Sequence, residues 1–189
     1  VTVEYQGYSV DGAIFDASKK FHPQGHDPLQ FVTGAGQIGT ALARRTGAGK
    51  KIILGDKNMK NAEMTAGIMN NAGYDVIPFE VELSSRQDIL AFIRRAQEYG
   101  EIKYLINAAG ISQSQGSVED LLKVDLYGTA VLLEEVGRVI AEGGAGVTIS
   151  SQSGWRMPQL TPEEDRQLAM TPTEELLSLP VLQPGKIQE

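Results

Sequence analysis

The sequence has no cysteine and only two histidines in 189 residues. Without thiols the chain can build neither a disulfide framework nor a thiolate zinc site. A cysteine-free chain also suits a reducing cytoplasm, which is the expected location. His22 and His26 stand in "HPQGH", where proline and glycine break the helix that a paired metal site would need, so no metal is expected. Basic residues are few as well: 17 Lys and Arg against 24 Asp and Glu give a net charge of −7. Nucleic-acid affinity comes largely from cations that neutralise phosphates, and no basic cluster compensates here, so nucleic acid is discounted as a partner. No apolar run approaches the roughly 20 residues of a spanning helix. Residues 1 to 30 lack the basic-then-apolar layout of a signal peptide, and no membrane partner is expected.

What remains is an ordinary globular composition, 41% apolar and 22% charged, with 21 glycines that imply many turns or close backbone approaches. A chain of this length buries one sizeable core, or one core plus a small appendage. Residues 1 to 9, "VTVEYQGYS", alternate as a half-buried strand does. Asp11-Gly12 supplies turn chemistry and "AIFD" returns, which predicts a hairpin. Residues 16 to 28 are polar and rich in Pro and Gly, a loop leading to "LQFVT".

From residue 31 the rhythm changes. Short apolar strands "FVT", "KIILGD", "DVIPFE", "YLINAA" and "GVTIS" alternate with helical stretches near 38 to 46, 59 to 72, 85 to 98 and 117 to 141. This predicts an α/β fold: a Rossmann-like, doubly wound parallel sheet of about five strands, incomplete, with an N-terminal β-hairpin appendage. The expected units are a hairpin and loop over 1 to 30, a dinucleotide-binding domain over 31 to 154 and a helical tail over 155 to 189. In that tail "TPEE" at 161 and "TPTE" at 171 each place Thr, Pro and Glu as a capping box does, and two short helices are expected, ending near Pro180 and Gly185. The acids Glu134-Glu135 read as a solvated face, and Glu163-Glu164-Asp165 as a helix start.

Gly34, Gly36 and Gly39 form GxGxxG between a predicted strand and a predicted helix. That chemistry needs one glycine for a tight turn, one for close approach of backbone to a diphosphate, and one for packing of helix on strand. Gln37 and Ile38 then begin a helix whose free N–H groups and positive end face the anion. Asp56 closes the next strand at the distance the fingerprint requires, where a carboxylate can accept the ribose hydroxyls of NAD and repel the 2′-phosphate of NADP. Lys57 beside it leaves NADP open, and an ordinary loop is the alternative reading of the glycines. "RTGAGKK" lacks Walker-loop spacing and reads as helix C-cap glycines followed by a solvated lysine pair.

With these motifs, residues 32 to 154 resemble the short-chain dehydrogenase/reductase family. "TGAGQIG" (33 to 39) is similar to its cofactor loop. "FEVELSS" (79 to 85) sits where the family has its Asp-Val segment, with Glu82 and Leu83 at the adenine. "NAAG" (Asn107, Ala108, Ala109 and Gly110) ends the fourth strand and lines the cofactor site in that family. "KVDLYGT" (123 to 129) matches the segment that normally offers a catalytic Asn, with Asp125 standing there, and "TISSQSG" (148 to 154) places Ser151 at the active-site serine. Read singly, Asn107 could bond neighbouring backbone, and Ser151 or Ser153 could be a turn serine. The resemblance implies NAD or NADP as cofactor, a small-molecule alcohol or carbonyl substrate, and hydride transfer assisted by a tyrosine acid with a lysine four residues on. The last tyrosine is Tyr127 and no Tyr-x-x-x-Lys follows Ser151, so truncation before that motif and little or no turnover are expected. The first residue is Val rather than Met, read as processing or cutting, and oligomeric state is left open.

A second resemblance covers residues 1 to 38. "VTVEYQGYSVDGAIFDAS" and "PLQFVTGAGQI" resemble an FKBP-type peptidyl-prolyl isomerase, with Tyr5, Phe15, Asp16 and Phe31 at positions that line or brace its prolyl pocket. The "IPGW" segment expected next is replaced by "GTALARR", and Trp155, the lone tryptophan, stands elsewhere. The bland reading of Tyr5, Phe15 and Phe31, that they are hairpin core, is the favoured one. Three functions therefore compete: an NAD-binding oxidoreductase inactive as it stands, a prolyl isomerase or peptide-binding remnant, and a non-enzymatic chimeric fusion with its crossover between Phe31 and Gly39.

Overall fold

A computed structural model describes residues 6–8, 14–17, 29–152, 154 and 158–183. Strands β1 (Gln6–Tyr8) and β2 (Ile14–Ala17) pair antiparallel, with Gly7 opposite Asp16, in keeping with the expected hairpin. The Asp11-Gly12 turn, Tyr5, His22 and His26 lie outside the described residues. The next strand, β3 (Leu29–Thr33), belongs to a different sheet. It pairs in parallel with β4 (Lys51–Asp56) on one side and β6 (Ile102–Asn107) on the other. With β5 (Asp75–Glu80) and β7 (Ala145–Thr148) the order is β5-β4-β3-β6-β7, parallel throughout. The glycine loop is thus an extension of the parallel sheet.

Strand residues alternate between two cores because successive side chains point to opposite faces. Val32, Ile52, Leu54, Val76 and Ile106 face one cluster, into which α1 (Gln37–Thr46) and α2 (Met59–Asn71) send Ala43, Ala66 and Met69. Phe31, Ile53 and Leu105 face the other, packed by Ile89, Phe92 and Ile93 of α3 (Arg86–Gln97). There Phe31 is fully buried, its ring centroid 4.0 Å from that of Phe92, which also stacks on Phe79 at 5.3 Å. Phe31, expected at a prolyl pocket under the isomerase resemblance, is therefore a core residue of the parallel sheet. Helices on both faces make the sheet doubly wound, as expected.

Several expectations are corrected. The helix expected over 117 to 141 is in fact three segments: α4 (Val118–Leu121), a π-helical turn (Leu122–Gly128) and α5 (Thr129–Gly137). Helical periodicity in a sequence does not separate π from α turns, so the extra residue per turn was not visible. The chain leaves the helix where Val139 and Ile140 both donate to the Val136 carbonyl. Strand β6 ends at Asn107, with the Ala108 N–H making the last ladder bond to the Thr33 carbonyl at 3.1 Å. The first capping box holds: Thr161 and Glu164 exchange side chain to backbone bonds at the start of α6 (Pro162–Met170). The second does not. Thr171 closes α6 by donating to the Gln167 carbonyl, and a 3-10 turn, Thr173–Ser178, follows with no side-chain cap. A last 3-10 turn spans Pro180–Leu182.

Lys50, expected in solvent, is only 7% exposed, with its ammonium 5.4 Å from the centre of the Tyr104 ring. The supposedly solvated acids Glu134 and Glu135 instead surround Arg86. Its guanidinium donates to Glu134 at 2.8 Å, to the buried Glu135, and to Glu174 of the 3-10 turn at 2.6 Å. Tyr127 donates to the same Glu174 at 3.1 Å, and Leu176 beside it is buried. The hydrogen bond from Arg86, with help from Thr173, holds the Glu134 carboxyl below the usual range, and Glu134 in turn raises the Arg86 pKa. Charges that look like surface decoration thus fasten the tail to α3 and α5.

Candidate functional site

The strand order reverses between β3 and β6, so the loops that follow them leave toward opposite faces and part at the C-terminal edge of the sheet. Crevices of open α/β sheets form at this point. Here a cleft of about 550 Å³ is lined by Gly34, Gly36, Asp56, Glu82, Ala108 and Gly110, among others.

The three glycines have separate jobs. Gly34 has φ +86°, a conformation that side chains oppose, and a Cβ there would come within 2.8 Å of the Ala109 nitrogen. A Cβ on Gly39 would lie 1.9 Å from the Gly34 carbonyl oxygen, so only glycine lets α1 begin this close to the turn. Gly36 is different: a Cβ on it would meet nothing within 4 Å, and it borders the cleft. Its missing side chain leaves room for something other than protein. Gly36 is also the N-cap of α1 and supplies no side-chain acceptor, and the first turn carries no acid. The N–H groups at Gln37, Ile38 and Gly39 therefore stand at an uncapped, electropositive helix end.

The loop is braced from three directions. Gly34 donates to the Gly55 carbonyl at 2.8 Å, Ala35 donates to Asp56 Oδ2 at 2.9 Å, and the Ala35 carbonyl accepts from Thr40 at 3.1 Å and Thr65 at 3.3 Å. Asp56 Oδ1 accepts from the Asn58 N–H at 2.9 Å. A carboxylate offers about four acceptor positions, so Asp56 keeps capacity for further donors. Lys57 turns away from Asp56 to Glu82, Nζ to Oε2 at 2.5 Å, and Glu82 Oε1 also accepts from the Ser84 N–H at 3.1 Å. Burial pushes the Glu82 carboxyl up, but the bonds from Lys57 and Ser84 outweigh it and hold it below the ordinary value. The hydrogen bond to Glu82 raises the Lys57 pKa. Leu83 is buried at the cleft floor.

Asn107, expected at the cofactor, has both amide atoms in use inside the protein: Oδ1 accepts from Thr33 at 2.7 Å and Nδ2 donates to Thr129 at 3.2 Å. It ties β3, β6 and α5 together behind the cleft. Ala108, Ala109 and Gly110 line the cleft itself. Asp125 sits in the π turn, where its Oδ1 accepts from the Ile111 N–H at 2.9 Å and lies 3.2 Å from where a Cβ on Gly110 would be. It positions the "NAAG" loop. Ser151 is exposed, three residues beyond β7, and Ser153 lies outside the described residues. Thr40 and Thr65 carry no pattern in the sequence, and Thr33 and Thr129, although inside the "TGAGQIG" and "KVDLYGT" segments, show their bracing role only in the structure.

Comparison with known proteins agrees with this architecture. The short chain dehydrogenase family model matches residues 29–161. The chain is 36% identical over 152 residues to the short-chain dehydrogenase/reductase bsc3 of Alternaria brassicicola, covering 80% of this chain and 56% of that protein. Among solved structures, a short chain dehydrogenase from Mycobacterium smegmatis matches with a TM-score of 0.63 at 23% identity, covering 71% of this chain and 64% of that one. The citronellol catabolism dehydrogenase AtuB of Pseudomonas aeruginosa PAO1 matches with a TM-score of 0.62 at 24% identity, covering 70% and 59%. These structural likenesses establish the fold. The chain belongs to the short-chain dehydrogenase family, and it spans about half the length of the curated relatives it matches. None of these findings supports the isomerase-like reading of residues 1 to 38 or a chimera. Among the described residues no helix is long and apolar enough to cross a membrane.

Proposed function

We propose that this chain binds NAD along the C-terminal edge of its sheet, in a unit spanning residues 31 to 154, and serves hydride transfer between the nicotinamide and a small alcohol or carbonyl substrate. The observation that carries this reading is the space at Gly36, opened by a rigidly braced loop beneath an uncapped helix start. Gly34, Gly36 and Gly39 bring backbone close to a diphosphate, and the N–H groups of Gln37 and Ile38 donate to it. Asp56 accepts the adenosine ribose hydroxyls with the acceptor positions its own loop leaves over. Glu82 and Leu83 border the adenine, and Ala108, Ala109 and Gly110 border the nicotinamide, with Asn107 as the strut behind them. When bound, the cofactor accepts or supplies the hydride. Asp125 and Ser151 flank the substrate end, Asp125 by positioning the loop at Gly110 and Ile111.

In this family reading a positioned phenol and a lysine complete the acid catalysis, a contribution of about 10²–10⁴-fold. Within these 189 residues no Tyr-x-x-x-Lys follows Ser151, so the residues present supply the binding half of the reaction. Titrating the chain with NADH while following nicotinamide fluorescence is expected to saturate, and Asp56→Asn is expected to weaken binding about tenfold, the cost of roughly one good hydrogen bond. A titration that stays linear to millimolar NADH overturns the proposal.

A further inference from the structure

The ribose end of the cleft carries a charge arrangement that the nucleotide reading does not need. Lys57 follows Asp56 directly, yet its ammonium is engaged 2.5 Å from Glu82, a residue contributed by the segment after β5. The lysine side chain is 76% exposed and so free to swing, whereas Glu82 is only 26% exposed and would keep Ser84 but lose its cationic partner if the lysine left. Asp120 adds a further negative charge within range of Lys57. The charged side chains lining this region are Asp56, Lys57, Glu82, Asp120 and Lys123; Glu82 and Asp120 act on Lys57, while Asp56 is engaged by its own loop and Lys123 is bonded to Glu119 at 2.7 Å.

Resting on the NAD site proposed above, we propose that Glu82 sets the choice of cofactor: by holding Lys57 in an ion pair it withholds that ammonium from a 2′-phosphate, so the site takes the dinucleotide that lacks one. A 2′-phosphate brings between one and two negative charges to a place where carboxylates outnumber ammonium groups. Recruiting Lys57 to neutralise it leaves a partly buried carboxylate without its partner, which costs more than an exposed pair would. NADP therefore meets a double penalty, and NAD meets neither. Glu82→Gln removes both at once, since the amide keeps its hydrogen-bonding shape while releasing the lysine.

The test titrates the whole chain with NADH and with NADPH at low ionic strength, comparing wild type, Glu82→Gln, Lys57→Met and the double variant, with thermal melts confirming that each is folded. Wild type is expected to favour NADH, and Glu82→Gln to shift the NADPH-to-NADH affinity ratio by about tenfold toward NADPH. That gain is expected to vanish in the double variant and to shrink with added salt. The inference is overturned if the ratio in Glu82→Gln matches wild type, if the gain survives loss of Lys57, or if wild type already favours NADPH. Intact NADH binding in those cases leaves the NAD reading standing, whereas a wild type that binds neither nucleotide overturns both.

Discussion

Replacing Gly36 and Gly39 separately by alanine should divide binding from folding. At Gly36 the backbone has φ −70° and ψ −175°, which any residue adopts, and a methyl group there meets no protein atom within 4 Å. Alanine is a poorer N-cap than glycine by a few tenths of a kcal/mol to about 1, and loss of unfolded-chain freedom returns about 0.4–1 kcal/mol. The two effects nearly cancel, so the melting temperature should move by less than about 2 °C, at roughly 2–4 °C per kcal/mol for a chain of this size. The methyl does, however, project from the cleft-lining backbone. It should hold a diphosphate away from at least one charge-assisted N–H bond, worth about 1.5–3 kcal/mol, or roughly 10- to 150-fold in Kd. Gly39→Ala is the opposite case: its methyl lands 1.9 Å from the Gly34 oxygen, and overpacking costs about 1–3 kcal/mol or more, several degrees of melting temperature. Differential scanning fluorimetry and NADH titration on both variants read the two quantities. Wild-type affinity in a folded Gly36→Ala variant would falsify the placement of the diphosphate, and an unshifted melt in Gly39→Ala would refute the packing argument.

Two further outcomes follow from the charge network. Arg86→Ala leaves the buried Glu135 with Arg138 alone, 3.0 Å away, and releases Glu174, so urea unfolding should show a loss of about 1–2 kcal/mol, and a change under 0.5 kcal/mol would show the network to be superficial. The carboxyls of Glu134 and Glu82 titrate below their ordinary values in the folded chain, so the stability they contribute is complete above the unfolded value of about 4.3 and is lost as pH falls through the lower folded values. Lys57 is raised, so its share is present below about 10.4 and is lost only above that. Chemical denaturation across pH should therefore show these contributions flat between about 6 and 9, and a loss of stability between pH 8 and 6 that Glu82→Gln or Glu134→Gln abolishes would contradict the assignment.

Much of the fold was legible because its signals are local. Short apolar runs set between helical stretches mark every strand of the parallel sheet. The Thr161–Glu164 box opens α6 as its sequence pattern predicts, and the structure adds Asn58 and Ser85 as the short polar caps of α2 and α3. The spacing of Gly34, Gly36, Gly39 and Asp56 describes a loop and its acid, since the positive φ of Gly34 and the close approach of Gly39 to the Gly34 carbonyl are local demands. By contrast, Thr171 carries the same local grammar as Thr161 and fails, because the end of α6 had already engaged it.

What the sequence by itself determined, then, is the order of the sheet strands and of the α-helices between them and the position of the glycine turn, all of which follow from backbone sterics and side-chain periodicity. Only the tertiary structure decided that Phe31 and "LQFVT" serve the parallel sheet, that Asp56 braces Ala35, that Lys57 faces Glu82, and that Arg86 gathers Glu134, Glu135 and Glu174. Each of these joins residues at least 21 positions apart, apart from the adjacent acids themselves. Partnerships of that kind depend on which strands lie side by side, and a one-dimensional pattern of charge and hydrophobicity does not carry that information.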